Sequence, residues 1–186
     1  ASDVYKRQDM QLVRFGSSII DGRIKFVEEL NDIISSIHSN LTGGKESLSV
    51  KYEPYTTVEG FENMVQSSRD KDIRYKTTGT GPHKDDLVFY INGQDVRKYG
   101  SQGQQRTTAL SLKLSEIELV KKLTGNNPIL LLDDVLSELD SSRQNYLLNS
   151  IGDIQTIITC TGLDEFINNR ININKVFKVT NGTVSH

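Results

Sequence analysis

Cysteine and histidine are scarce in this sequence, with one cysteine and three histidines among 186 residues. A single cysteine cannot form a disulfide within the chain, and it fits a reducing cytoplasm. So few histidines and cysteines also exclude a zinc cluster built from those two residue types. The composition therefore argues against the disulfide-rich secreted class and against zinc-binding modules.

Long apolar runs and a strong charge of either sign are missing as well. No stretch approaches the roughly 20 apolar residues that cross a membrane, and no secretory signal is recognisable. The formal net charge of −2 argues against a globally basic nucleic-acid binder, although it leaves room for a local basic face. The length suits one sizeable domain, or one domain with an appendage. We expect a cytoplasmic protein outside the membrane.

The spacing of apolar residues predicts two helices in the first part of the chain. Residues 1–8 show no periodicity and are predicted to be disordered or an assembly scar. A long amphipathic helix is predicted from about Ser17 to Leu41, ended by Gly43-Gly44. A shorter and weaker helix is predicted around Val58 to Ser68.

Strands follow, and later they alternate with helices. The stretch "SLSVKYEP" and the stretch "DLVFYINGQDV" predict strands, the second with a tight turn at Asn92-Gly93. The remaining elements are a helix from Ser101 to about Leu123, a buried parallel strand "PILLLDD", a helix near Ser141 to Ile151, a strand "TIITC", a short helix at Asp164 to Asn168 and a strand "KVFKV". This order indicates an α/β fold with a parallel sheet.

The stretch "KYGSQGQQRT" predicts a helix start with a capping box. The Ser101 hydroxyl can accept from the third helical N–H, while the Gln104 side chain reaches back to the N–H of the cap. Gly103 has no side chain, so a ligand could come close to the backbone there. The N–H groups of a helix start also favour an anion such as phosphate. An ordinary capped helix explains these residues too, and more simply when they are taken alone.

The strand "PILLLDD" ends in two adjacent acids, Asp133 and Asp134. The carboxyl end of a strand is where α/β sheets place ligands. In nucleotide hydrolases the first acid of such a pair holds Mg²⁺ and the second can act on the attacking water. A strand that simply ends in polar residues, with Asp134 capping the turn, is the alternative.

Four short motifs occur in order along the sequence, and together they resemble a known family: "GPHKDDL", "SQGQQRT", "ALSLKLSE" and "LLLDDVLSELD". A capped helix start, a helix of about six turns and a strand with paired aspartates resemble the signature helix and Walker B strand of ABC-type ATPases. From about Phe15 to Val184, the sequence resembles the RecF family of bacterial recombination-repair ATPases. The resemblance implies the end of a helical arm domain at residues 9–45. It implies the C-terminal lobe of an ABC-type ATPase head at residues 46–186.

The resemblance assigns the capped helix start to nucleotide binding. Ser101, Gln102, Gly103 and Gln104 would form the signature motif, which in this superfamily touches the γ-phosphate of ATP bound to the opposite protomer. The helix start would then be shaped for a phosphate that another subunit delivers.

The resemblance also gives roles to residues of the second motif group. Asp133 would be the Walker B ligand of Mg²⁺, and Asp134 would stand in the catalytic acid position. ABC enzymes usually have glutamate there, and the shorter aspartate fits slow, switch-like hydrolysis. Asp140 would lie in the D-loop. Thr161 would stand at the switch position, where many relatives carry histidine.

Cofactors and partners are implied in the same way. A full-length protein of this family would bind ATP and Mg²⁺, form an ATP-dependent homodimer, and hydrolyse ATP slowly in a DNA-dependent manner. Its partners would be DNA at single-strand/double-strand junctions and the proteins RecR and RecO, with no membrane involved.

A P-loop of the form G-x-x-x-x-G-K-[ST] is missing from the sequence. "SNLTGGKES" contains Gly44-Lys45, but Glu46 replaces the hydroxyl residue and Ser39 replaces the first glycine. We therefore predict the C-terminal half of a RecF-like protein, which would not hydrolyse ATP by itself. One alternative is a non-catalytic fragment or dimerisation module. Another is a different SMC-like ATPase head, against which the lack of extended heptads argues.

Several other polar residues are given structural interpretations. His83, Asp85 and Asp86 in "GPHKDD" have the chemistry of a metal site, but they more simply form a turn whose acids cap or pair locally. We expect His38 on the exposed side of the long helix. Cys160 is predicted to be a core residue of its strand.

Overall fold

The described chain begins with a helix of 40 residues. The computed structural model describes residues 2–161 and 174–185, and helix α1 spans Ser2–Leu41. The predicted long helix is therefore confirmed, but a disordered start is wrong from Ser2 onward. Lengthening an existing helix costs little, and Asp9 in this first part pairs with Arg69 of the next helix. Gly43 and Gly44, at φ values of 62° and 77°, end α1 as predicted.

An antiparallel sheet of three strands follows α1. It contains β1 (Leu48–Glu53), β2 (Asp86–Ile91) and β3 (Gln94–Asp95) in that spatial order. Leu48 lies opposite Ile91, and the pairing continues to Glu53 opposite Asp86. The predicted tight turn between β2 and β3 is confirmed, because Asn92 and Gly93 both have positive φ, at 50° and 81°.

Three further α-helices lie in the part of the chain up to residue 124. Helix α2 spans Val58–Tyr75 and is longer than predicted, while α3 is a short helix at Val96–Tyr99. Helix α4 spans Gln102–Thr124, which confirms the predicted helix. No helix in the described ranges combines the length and apolar character that crossing a bilayer requires.

The first core forms where α1 lies on the sheet. Its buried residues come from α1, β1, β2, α3 and α4: Val27, Leu30, Ile34, Leu48, Val50, Ile91, Val96 and Leu119. A second cluster joins Ile20 of α1 to Phe61 and Val65 of α2. Gly16 permits this contact, because a Cβ there would overlap the Phe61 ring.

The later elements contain a parallel pair of strands. These elements are β4 (Leu130–Asp133), a 3-10 turn (Val135–Glu138), α5 (Ser141–Ser150), β5 (Thr156–Thr159), β6 (Lys178–Thr180) and β7 (Thr183–Ser185). Strands β4 and β5 pair in parallel, as predicted, and β6 and β7 form an antiparallel pair. The helix predicted at Asp164 to Asn168 lies outside the described residues.

The expectation of a fully buried β4 is wrong. Leu132 is buried, whereas Leu131 is 69% exposed and its neighbour Ile157 on β5 is 55% exposed. Successive side chains of a strand point to opposite faces, so only the Leu132 face of this pair lies in the core. Parallel sheets normally have both faces covered.

The chain divides into two compact units, residues 1–119 and residues 120–186. This boundary falls inside α4 and differs from the division at residue 46 that the family resemblance implies. The reason is that β1, β2 and α4 all bury side chains against α1. The end of α1 and the strands after it therefore form one packed unit.

The turn in "GPHKDD" is tied to α1 by a buried carboxylate. The Asp85 side chain is only 2% exposed. Its Oδ2 accepts from Arg23 of α1 at 2.8 Å and from the Tyr52 hydroxyl, and its Oδ1 accepts from the Tyr55 N–H at 2.9 Å. Asp86 pairs instead with Arg97 on the surface. The local pairing that we expected is thus confirmed for Asp86, while Asp85 contacts a helix about 60 residues earlier in the chain.

Replacing Asp85 should destabilise the first unit. We expect Asp85→Asn to lower the free energy of unfolding by about 1–3 kcal/mol, because an amide cannot accept all three hydrogen bonds that the carboxylate accepts. Urea unfolding of the chain measures this loss. The adjacent variant Asp86→Asn is the control and should cost much less, because its ion pair is exposed.

A second readout ties the effect to the Asp85 site. Burial, together with the hydrogen bond to Asp85, raises the pKa of Tyr52 to about 12. In Asp85→Asn that pKa should fall, whereas it should stay in place in Asp86→Asn. An unchanged Tyr52 titration in Asp85→Asn would contradict the contact.

Candidate functional site

The start of α4 has the capping box that the sequence predicts. The Ser101 Oγ accepts from the Gln104 N–H at 3.2 Å, and the Gln104 Oε1 accepts from the Ser101 N–H at 3.0 Å. Ser101, Gln102 and Gly103 are exposed, and Gln104 is half-buried. The structure thus brings all four predicted signature residues together on one open helix start.

The space above Gly103 is open within the described chain. A Cβ built at this position would meet only the Ser101 Oγ, at 3.9 Å. Packing of the protein on itself therefore does not require a glycine here. The N–H groups in the first turn of a helix favour an anion such as phosphate.

Two residues behind this helix start were missed by the sequence reasoning. His38 is completely buried, so the prediction of an exposed His38 is wrong. Its ring contacts Ser111 of α4 and Glu46, and Glu46 also contacts Gln104. The physical reason is that α4 covers this face of α1, which a helical pattern within α1 alone cannot show. Glu46, which stands where a P-loop would have a hydroxyl residue, therefore links α1 to α4.

Asp133 stands at the carboxyl end of β4, as predicted. It lies directly opposite Thr159 of β5, and its Oδ1 accepts a hydrogen bond from the Thr159 hydroxyl. The sequence reasoning missed Thr159 and singled out Thr161, which is exposed and lies just beyond β5. The parallel register, which places the two strand ends side by side, is the signal that finds Thr159.

Asp134 occupies a backbone conformation that is uncommon for a residue with a side chain. Its φ is 51° and its ψ is 18°, in the left-handed region that asparagine and aspartate tolerate better than most residues. Its N–H donates to the Thr159 carbonyl at 3.1 Å, and its carbonyl accepts from the Ser137 hydroxyl at 2.8 Å. These bonds hold the sharp turn that directly follows Asp133.

Asp140 caps helix α5. Its Oδ1 accepts from the N–H groups of Ser142 at 3.1 Å and Arg143 at 3.0 Å, and its carboxylate also pairs with the Arg143 guanidinium. The backbone hydrogen bond from Arg143 and the charge of its side chain lower the pKa of Asp140. The residue that the family resemblance places in the D-loop therefore has a structural role of its own.

The chemistry of the Asp133 end suits a hard cation. Mg²⁺ prefers oxygen ligands and is commonly held by one or two carboxylates together with phosphate oxygens and water. The Asp133 carboxylate and the Thr159 hydroxyl are oxygen donors at the exposed end of the strand pair. Among the described residues, no group of three or more histidine, cysteine, aspartate or glutamate side chains is placed to hold a metal.

Curated proteins named "DNA replication and repair protein RecF" match almost the whole chain. The protein from Lachnospira eligens is 70% identical over 176 residues, which are 95% of this chain and 48% of the relative. That from Agathobacter rectalis is 58% identical over 182 residues, 98% of this chain and 50% of the relative. The chain thus spans about half the length of the curated relatives it matches. No protein family model matches the sequence.

A solved structure gives the same result for the fold. The structure of the recombination mediator protein RecF-ATP in the RecFOR pathway matches with a TM-score of 0.80 and 34% sequence identity. The match covers 98% of this chain and 50% of the solved one. The resemblance to RecF and the expected α/β fold, over one half of a RecF structure, are confirmed.

The cap on α5 gives a prediction for the second unit. We expect Asp140→Ala to destabilise this unit by about 1 kcal/mol, the usual loss for an N-cap, measured by thermal unfolding. Asp140→Asn is the matched control, because it keeps the cap acceptor without the charge. Equal stability of Asp140→Ala and the parent chain would contradict the capping role.

The contribution of Asp140 to the stability of the folded chain should also depend on pH. Because the pKa of Asp140 is lowered in the folded chain, its stabilisation is fully present above the unfolded value of about 4. It should be lost as the pH falls from there through the lower folded value. Asp140→Asn should lack this part of the acid dependence.

Proposed function

Because this chain matches RecF proteins along nearly its whole length, we propose that it supplies the signature and Walker B half of an ATP-dependent DNA-binding switch. The exposed capping box at Ser101, with open space above Gly103, is the observation that carries the proposal. In this proposal, ATP bound to one protomer is covered by the α4 start of the other. Closure on ATP would form a dimer that binds DNA at single-strand gaps, with RecR and RecO as partners.

In this proposal, the start of α4 binds phosphate, and the residues at and after the end of β4 bind the metal and act on water. The N–H groups of the first turn of α4 and the Ser101 hydroxyl would bind the γ-phosphate. The negative charge of this phosphate would be stabilised by the positive end of the α4 dipole. Asp133, with Thr159 beside it, would hold Mg²⁺, which neutralises phosphate charge when bound. Asp134 would orient the attacking water or accept a proton from it. Thr161 would contribute a hydroxyl near the γ-phosphate.

The proposal assigns ATP hydrolysis to the longer protein. The phosphate cradle and lysine of a P-loop are missing from this sequence, so the chain alone is expected neither to hold ATP nor to hydrolyse it. DNA contacts would be made chiefly to phosphates and would weaken as salt increases. The experiments below therefore use a full-length RecF protein that carries these residues.

Ser101→Arg tests the trans arrangement. We expect it to abolish ATP-dependent dimers while the monomer still binds nucleotide, because the long cation would fill the space meant for the partner's phosphate. Analytical ultracentrifugation with and without ATP measures the dimers, and equilibrium binding measures the monomer. Ser101→Thr keeps the cap hydroxyl and is the matched control. Loss of nucleotide binding by the Ser101→Arg monomer would show that the assignment in trans is wrong.

Asp134→Asn tests the hydrolysis step. We expect dimerisation on ATP to persist and turnover to fall on the order of 100-fold or more, as for the loss of a general base. Asparagine also tolerates the left-handed backbone of this position, so the turn should be kept. Asp153→Asn, at an exposed acid of the same unit, is the control. Unchanged turnover in Asp134→Asn would remove Asp134 from the chemistry.

A further inference from the structure

We infer that Glu46 and His38 are positioning residues for the Ser101 cap, and that they set how the start of α4 is presented to a phosphate. The inference rests on the proposed function, in which that helix start receives the γ-phosphate of a partner protomer. The proposed contacts of the cap with phosphate involve Ser101 and the first turn. Glu46 and His38 act on the cap only through the side chain of Gln104.

One carboxylate joins the two helices. Glu46 Oε1 accepts from the Gln104 Nε2 at 3.0 Å, and Glu46 Oε2 lies 3.0 Å from the His38 Nε2. Glu46 follows the glycine turn that ends α1, while Gln104 lies 58 residues later in the first turn of α4. Both oxygens of one side chain are therefore used to hold the end of α1 against the beginning of α4.

The carboxylate also fixes which way the Gln104 amide points. An ionised carboxylate can only accept hydrogen bonds, so it must face the NH₂ group of the amide. The amide oxygen is thereby turned toward Ser101, where it accepts the N–H of the cap at 3.0 Å. Without Glu46, the amide could rotate and place its NH₂ group against that N–H. The cap would then lose one of its two hydrogen bonds.

His38 secures this arrangement from the buried side. The His38 Nδ1 lies 2.9 Å from the Ser111 Oγ, and the Nε2 lies 3.0 Å from the Glu46 Oε2. Both ring nitrogens therefore have a hydrogen-bond partner, one on α4 and one on the carboxylate. The completely buried ring contacts α4 at Ser111, about two turns beyond Gln104, and holds the Glu46 carboxylate in place.

The first test uses amide hydrogen exchange on the chain as it is. We expect Glu46→Ala to raise the exchange rate of the Ser101 N–H about tenfold, the scale of one lost hydrogen bond to a polar group. The adjacent exposed residue provides the control Lys45→Ala, which should leave this rate unchanged. Glu46→Gln keeps the length of the side chain and one acceptor, and its rate should lie between those of the parent and Glu46→Ala.

The second test measures dimerisation in a full-length RecF protein that carries these residues. We expect Glu46→Ala to raise the ATP concentration for half-maximal dimerisation about tenfold, while nucleotide binding by the monomer is unchanged. Glu46→Gln should rescue part of the effect. A merely structural role would lower thermal stability and raise exchange throughout α1 and α4, without this separation of dimerisation from monomer binding. That pattern would overturn the inference.

Ser101→Arg separates failure of the inference from failure of the proposed function. If Ser101→Arg abolishes dimers while Glu46→Ala leaves both the Ser101 exchange and the ATP requirement unchanged, the positioning role is wrong and the proposed function stands. If Ser101→Arg leaves the dimers intact, the phosphate role of the helix start is wrong, and the inference about its presentation falls with it.

Discussion

Burial of one stripe of α1 is the interaction on which the first unit depends. Val27, Leu30 and Ile34 of this stripe meet the buried face of the sheet and the apolar side chains of α3 and α4. Full burial of each of these side chains stabilises the folded state by roughly 1.5–3 kcal/mol of free energy. The start of α4 is therefore placed by the same helix that covers the sheet. A change in the packing of α1 would therefore also reach the cap of α4.

Polar contacts at two points of α1 give this apolar packing a definite alignment. Arg23 contacts the buried Asp85 just before the central strand β2, and His38 contacts Ser111 and Glu46 near the end of α1. Apolar contacts alone tolerate small shifts of one helix along another. A buried carboxylate or imidazole does not, because a lost partner leaves an unsatisfied polar group. The two contacts therefore fix where α1 lies along the sheet.

In the second unit, strand pairing and a sharp turn determine where Asp133 and Asp134 lie. Parallel pairing of β4 with β5 brings Asp133 beside Thr159, and the left-handed residue Asp134 turns the chain immediately afterwards. A backbone position of this kind is costly, and such positions are frequent at functional sites. The exposed apolar side chains of Leu131 and Ile157 lie on the other face of the same strands.

Local rules were enough for the motifs whose partners lie close in the sequence. The capping box at Ser101 and Gln104, the turn at Asn92-Gly93 and the helix stop at Gly43-Gly44 all follow from residues within about four positions of one another. The order of strands and helices predicted the α/β class and a parallel sheet in the later part of the chain. These features could be read from the sequence because the backbone satisfies them locally.

The contacts that hold the site together were decided only by the tertiary structure. His38 and Ser111 are 73 residues apart, Arg23 and Asp85 are 62 apart, and Glu46 and Gln104 are 58 apart. The pattern within α1 predicted a surface histidine because it could not show that α4 covers that position. The sequence by itself determined which segments form helices, strands and caps. The tertiary structure decided which polar side chains are buried and paired, because burial depends on the segment that packs above a residue and not on its neighbours along the chain.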